Sequence, residues 1–255
     1  MLLPISDDDR GLLGPAYVTI ALLVANVLVF VLLQQFGSNE EFTFGYSVIP
    51  SEITTGTDLT TARSIVVQGQ QVVLPHAPGP VPIYLTVLSA MFMHGGLMHL
   101  LGNLLYLWIF GDNIEHRFGS WVFLLFYLAS GVAATAAQVM LDPSSIIPNL
   151  GASGAISGVL GGYLVLFPRN RVNAIFLYFV VSVPAVLALG MWIIFQLVES
   201  FALVGVGQVG GVAYGAHIGG FVTGAVLALF LRRLITERES VLSRGRAGAR
   251  TRRVW

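Results

Sequence analysis

Six apolar stretches break up this sequence: Ala16 to Leu33, Leu97 to Phe110, Trp121 to Met140, Leu150 to Phe167, Val172 to Leu197, and Val209 to Leu231. A helix needs roughly 20 apolar residues to cross the hydrocarbon of a bilayer, and most of these stretches approach that length. The composition agrees with such a setting, because 55% of residues are hydrophobic, only 10% are charged, and the mean hydropathy is +0.80. A water-soluble chain usually carries about a quarter of its residues as charges. Backbone groups inside lipid must pair within their own segment, so helices are the expected elements. The expected fold class is therefore all-α, a polytopic membrane protein with a six-transmembrane-helix bundle. The first stretch lacks a cationic flank and a small-residue cleavage site, and reads as a retained span rather than a secretory signal.

The chain has no lysine, and its thirteen basic residues are all arginine. With both termini inside, the inner side receives Arg10, Arg117, Arg169, Arg171 and the eight arginines from Arg232 to Arg253, leaving only Arg63 outside. That asymmetry matches the positive-inside rule and points to a multi-pass protein of a bacterial plasma membrane with cytoplasmic termini. The implied organisation is a cytoplasmic N-terminal segment (1–14), a six-span domain (15–231) with a long external loop (34–96), and an arginine-rich cytoplasmic tail (232–255). Val66-Val67 and Val72-Val73 flank Gly69 in the loop and suggest a short hairpin. The tail is expected to be a flexible end, or to touch anionic headgroups.

A formal net charge of zero provides no long-range field for nucleic acid, so no nucleic-acid partner is expected. The absence of cysteine excludes disulfides, thiolate catalysis and Cys-based metal sites. Few polar groups interrupt the apolar stretches. His99 and Asn103 lie four apart, on one face of the second span. Ser153 sits in Gly151-Ala152-Ser153-Gly154 at the start of the fourth, and His217 in Ala216-His217-Ile218-Gly219-Gly220 on the sixth. Under the topology above, these three spans all run from outside to inside, which puts their polar residues in one depth layer near the outer ends.

A lone serine in a membrane helix is more often bonded to its own backbone than nucleophilic, whereas a buried histidine is costlier and more often functional. Their shared depth favours chemistry. A serine hydroxyl becomes a nucleophile when a base takes its proton, and an imidazole can then return that proton to a leaving amine. Attack on a peptide carbonyl also needs donors for the oxyanion, which the Ser153 N–H, His99 and Asn103 are placed to supply. Gly154, Gly158 and Gly162 on one helix, and Ala216, Gly220 and Gly224 on the other, form small-residue strips that would let Ser153 and His217 meet.

At these residues the sequence resembles the rhomboid family of intramembrane serine proteases. The matching stretches are His94-Gly95-Gly96-Leu97-Met98-His99-Leu100-Leu101-Gly102-Asn103, Gly151-Ala152-Ser153-Gly154, and Ala216-His217-Ile218-Gly219-Gly220 with Gly224. The resemblance implies a rhomboid-like bundle, Ser153 as nucleophile, His217 as base then acid without an acidic third member, and oxyanion stabilisation by His99 and Asn103. It gives His94, Gly151, Gly154, Gly220 and Gly224 structural places near the site, and Glu115 and Arg117 a structural pattern on the second span. It implies transmembrane protein substrates, membrane lipid as surroundings, and no cofactor, metal or nucleotide. The chain departs from many relatives at Leu97, where they have tryptophan, at Ser157, where some have tyrosine beneath the histidine, and in the loop, which lacks a Trp-Arg pair. Alternatives are a noncatalytic rhomboid-like binder of membrane helices, or a small transporter, which the spans disfavour by lacking a relay of charged residues. Substrate identity and oligomeric state are not encoded legibly.

Overall fold

The computed structural model describes residues 2–8, 14–67, 70–202 and 213–251. Arg10, Gly69, Arg252, Arg253 and the start of the expected sixth span at 209–212 lie outside the described residues. The first helix, α1 (Tyr17–Leu28), has no side-chain cap of its own and borrows one from α5 (Leu97–Phe118). The Glu115 carboxylate accepts from Val18 N at 3.0 Å, Thr19 N at 2.7 Å and Thr19 Oγ1 at 2.9 Å, and from Ser120 Oγ at 2.6 Å. A carboxylate at a helix N-terminus satisfies orphan N–H groups and complements the helix dipole. The structural place expected for Glu115 thus has a physical cause: it locks the start of one helix to the end of another.

Beyond α1 the chain makes a π-helical turn (Val29–Leu33) and enters the long loop. The loop is well structured. Asn39 caps α2 (Glu40–Gly45) by accepting from Phe42 N, and Pro50 starts α3 (Pro50–Thr55), which ends at Gly56 with φ 69°. The expected hairpin is present as β2 (Arg63–Val67) paired antiparallel with β3 (Gln70–Leu74). The loop is fastened to the segment before the fourth span: Val48 and Asn149 exchange backbone bonds of 2.9 and 2.7 Å, and His76 Nε2 lies 2.8 Å from Ile146 O. A short helix, α4 (Thr86–Ser89), then leads into α5. The side chain of Gln34 clasps the backbone of His94, donating to His94 O at 2.9 Å and accepting from His94 N at 2.8 Å.

Among the described residues, the helices α6 (Ser120–Leu141) and α9 (Tyr214–Thr251) carry the two stretches long and apolar enough to cross a membrane alone, Ser120–Leu141 and Tyr214–Arg233. A third is a broken pair, Ile83–Phe92 and Leu97–Phe118, bent by 76°. Shorter apolar helices occupy Tyr17–Leu33, Ser153–Leu166 and Ala185–Ser200. Apolar helix occurs within each of the six expected stretches, though only in the second half of the fifth, and three of these helices are shorter than a span of ordinary length, so the count of six spans is not reached. The second is longer than expected, running eight residues past Phe110 because Glu115 finds buried donors there.

The all-α expectation is corrected: the protein is mostly helical, with five strands among the described residues. The expected fifth span divides into β4 (Arg171–Phe176), β5 (Phe179–Pro184) and α8 (Ala185–Ala202), and β1 (Leu3–Ser6) pairs with β4 to complete a three-stranded antiparallel sheet. Hydropathy cannot distinguish a β-branched run from a buried helix, but this run alternates over its first five residues: Val172 and Ala174 are fully buried, Arg171 is exposed, and Asn173 and Ile175 are half-buried. Asp7, just past β1, accepts from the Tyr163 hydroxyl and from Asn113 Nδ2 at 2.8 Å, which ties the sheet to the bundle.

The core lies where α7 (Ser153–Leu166) passes between α5, α6 and α9, with Leu107, Phe110, Ile114, Tyr127, Val159 and Tyr163 sealed from solvent. Two glycine pairs set the closest approach. A Cβ on Gly220 would overlap the Gly154 carbonyl, and one on Gly224 would overlap the Gly158 carbonyl. Small-residue strips of this kind bring membrane helices into backbone contact. The expected strip of Gly154, Gly158 and Gly162 turns its own Cβ positions toward Ala134, Ser130 and Phe126 of α6, and Gly161 is the α7 glycine whose Cβ would overlap α9, at the Phe221 carbonyl.

Candidate active site

Ser153 is the first residue of α7, where N–H groups have no intrahelical acceptor and the helix dipole is positive. The close contact of α7 with α9 carries His217 to it, and His217 Nε2 lies 2.8 Å from Ser153 Oγ. These two residues, 64 apart in sequence, are within hydrogen-bond reach. Ser157 donates to the Ser153 carbonyl at 2.6 Å, so its hydroxyl is turned back on its own helix. The Trp192 ring of α8, 5.9 Å away and tilted by 38°, and the Tyr214 ring, 6.4 Å away and edge-on, flank His217.

The other expected site residues gather from α5. The conformation of Gly151, with φ 141°, is one that side chains rarely adopt, and its missing side chain leaves room for the His99 ring. The point a Cβ on Gly151 would occupy is 3.0 Å from His99 Nε2 and 3.4 Å from Ser153 Oγ, so both groups border one small space. His99 Nδ1 accepts from Gly95 N at 3.3 Å, which leaves Nε2 to carry a proton toward that space. Asn103, one turn further, is buried, and its Nδ2 has no hydrogen-bond partner among the described residues. An unspent donor of that kind is costly in a folded protein and marks a place where another acceptor fits.

These groups open onto one cavity of about 970 Å³, bordered by His99, Asn103, Ser153, His217, Trp192 and Gln196. His94 is buried behind it, its ring edge-on to His99 with centroids 5.2 Å apart. Gly154, Gly220 and Gly224 lie on the α7–α9 contact that holds the serine against the histidine. Glu115 and Arg117 are not brought to the site. They sit near the opposite end of α5, Glu115 about 18 Å along the helix from Asn103 at 1.5 Å per residue. Among the described residues no three His, Cys, Asp or Glu side chains are grouped as a metal site requires.

Sequence reasoning passes over Gln196. Its Oε1 lies 2.6 Å from His217 Nδ1, on the side of the ring away from Ser153. The available signal was composition: Gln196 is the one amide in the apolar run from Ala185 to Val198.

A helical bundle of apolar helices, a cavity of about 970 Å³ among them, and a serine within hydrogen-bond reach of a histidine together define a class of membrane protein. The Rhomboid domain family matches residues 83–234, more than half of the chain, and the protein belongs to this family of integral membrane proteins. Similar proteins include the Rhomboid protease GluP of Bacillus subtilis, 36% identical over 143 residues (56% of this chain, 26% of that protein). RHOMBOID-like protein 4 of Arabidopsis thaliana is 34% identical over 145 residues (57% and 33%), and the mitochondrial Rhomboid protein 1 of Saccharomyces cerevisiae 30% over 156 residues (59% and 43%). The matched region therefore spans less than half the length of each of these relatives.

Proposed function

We propose that the protein is an intramembrane serine endopeptidase that hydrolyses peptide bonds at or near transmembrane segments of membrane proteins. The observation that carries this reading is the 2.8 Å approach of Ser153 Oγ to His217 Nε2 at the edge of a cavity that also receives His99 and Asn103. In the first step the hydroxyl proton passes to Nε2 as Oγ bonds to the carbonyl carbon. The resulting oxyanion accepts from the Ser153 N–H, His99 and Asn103. The C–N bond then breaks, and the amine leaves with the proton from Nε2. Water next attacks the acyl-serine, giving its proton to Nε2, and that proton returns to Oγ as the new carboxyl group departs.

Six spans with cytoplasmic termini complete the reading, supported by the arginine distribution and by apolar helices at each expected position. The site then opens toward the outer side. A substrate helix must surrender backbone hydrogen bonds before its carbonyl can be attacked, so segments weakened by glycine or proline are the preferred substrates. Purified protein in detergent, incubated with a membrane-helix substrate carrying a glycine pair, should cleave it. Ser153→Ala and His217→Ala should each reduce the rate by at least about a thousandfold, as loss of a dyad member does elsewhere, and Ser153→Ala should also abolish fluorophosphonate labelling. Unchanged cleavage by Ser153→Ala would refute the protease reading. An inactive wild type whose Ser153→Ala variant still complements a deletion phenotype would favour a noncatalytic helix binder.

A further inference from the structure

We propose that Gln196 is a positioning residue that fixes the proton arrangement of His217, acting as an uncharged third member behind the serine and histidine; this rests on the protease reading above. A neutral imidazole has one N–H and one lone pair, and only the tautomer with its lone pair on Nε2 can take the proton of Ser153 Oγ. An amide oxygen is an acceptor only. With Gln196 Oε1 at 2.6 Å from Nδ1, the ring must present its N–H there, and Nε2 is left to accept at 2.8 Å from the serine. The same contact fixes the rotation of the ring, which Trp192 and Tyr214 confine by packing alone. When Nε2 takes the proton, the amide oxygen still faces Nδ1–H of the resulting cation.

An amide suits this place better than a carboxylate. Gln196 lies in the apolar run of α8, where an unpaired charge is expensive to bury in the resting state. The uncharged group gives up some stabilisation of the imidazolium and avoids that cost. The run from Ala185 to Val198 accordingly holds no acidic residue to serve as a third member.

The full-length protein in detergent provides the test, with Gln196→Leu, Gln196→Met and Gln196→Glu compared against wild type and Ser153→Ala. For Gln196→Leu and Gln196→Met, kcat should fall roughly tenfold, the scale of losing one tautomer-selecting hydrogen bond, while KM stays within about twofold. Gln196→Glu keeps the acceptor, so it should recover most of the rate and move the acid limb of the kcat/KM profile to higher pH, whereas Gln196→Leu moves it to lower pH. Histidine ¹⁵N spectra, with His217 assigned by difference against His217→Ala, should show the Nδ1–H form in wild type and a mixture of tautomers in Gln196→Leu.

An unchanged kcat and acid limb in Gln196→Leu, or the same single tautomer with and without the glutamine, would overturn the proposal while leaving the serine and histidine in place. A loss equal in all three variants, Gln196→Glu included, with the wild-type tautomer retained, would overturn it too, because it would show only a packing role. Cleavage that persists in Ser153→Ala would remove the reading on which the proposal rests, and is scored separately from the glutamine variants.

Discussion

Burial gives Glu52 a different character from the other acids of the long loop. It is 2% exposed, and Leu59 N donates to its Oε1 at 2.7 Å. Burial pushes its carboxyl up to about 7, the Leu59 N–H opposes this, and the nearby Asp58 carboxylate adds to it. The folded loop therefore holds a proton on Glu52 that the unfolded chain releases above its ordinary value of 4.5. Stability from this group is fully present below 4.5 and is lost as pH rises to about 7, with no further change above. Hydrogen exchange at Leu59 and Gly79, compared between wild type and Glu52→Gln at each pH from 5 to 8, should show wild-type protection falling relative to the variant as pH rises; parallel curves would refute it. Legibility at this scale followed rarity. Ser153, His217, His99 and Asn103 were visible because polar groups are scarce in apolar helices, and their chemistry fits together. Gln196 was not, since nothing in the sequence shows which face of α8 meets α9, and an amide announces no chemistry by itself.

Among the elements, α7 and α9 form the pair on which the site depends. Gly224 stands two turns beyond His217 with the Gly158 carbonyl against it. Gly224→Ala should force the helices apart, at a cost of about 1–3 kcal/mol for overpacking. Cleavage should fall by at least about tenfold, because a shift of about 1 Å in a reacting pair costs on the order of a hundredfold. Thermal unfolding and cleavage measured on the same sample check both parts, and an unchanged rate would show that the helix contact does not set the Ser153–His217 distance. The glycine strips were readable as packing devices, although not their partners: Gly154, Gly158 and Gly162 make room for α6 as well as α9, because α7 is enclosed by both and a small-residue repeat does not say which neighbour it admits. The sheet was missed for a physical reason: polar and apolar residues alternate only from Arg171 to Ala174, and the mostly apolar run that follows from Ile175 to Leu197 is long enough to read as a membrane helix.

At the scale of the whole molecule, the arginines predict sidedness, and the absence of cysteine makes it measurable. Arg63→Cys and Arg169→Cys place single thiols at exposed positions on opposite sides of the proposed membrane orientation. A membrane-impermeant maleimide should label the first in intact cells and the second only after permeabilisation; labelling of both from outside would refute the orientation. The apolar stretches marked where apolar helices lie, except that the first half of the fifth is sheet, but not their depth, since length and hydropathy do not tell how far a short helix is sunk between its neighbours. Ser153 and His217 ride on α7 and α9, joined backbone to backbone at the glycines, whereas Gln196 rides on α8, which packs far more loosely against that pair. Any outward excursion of α8 would leave the serine–histidine distance untouched and withdraw the acceptor from Nδ1. The loose helix would then work as an interlock, leaving the base at roughly a tenth of its full effect until the wall of the cavity has closed.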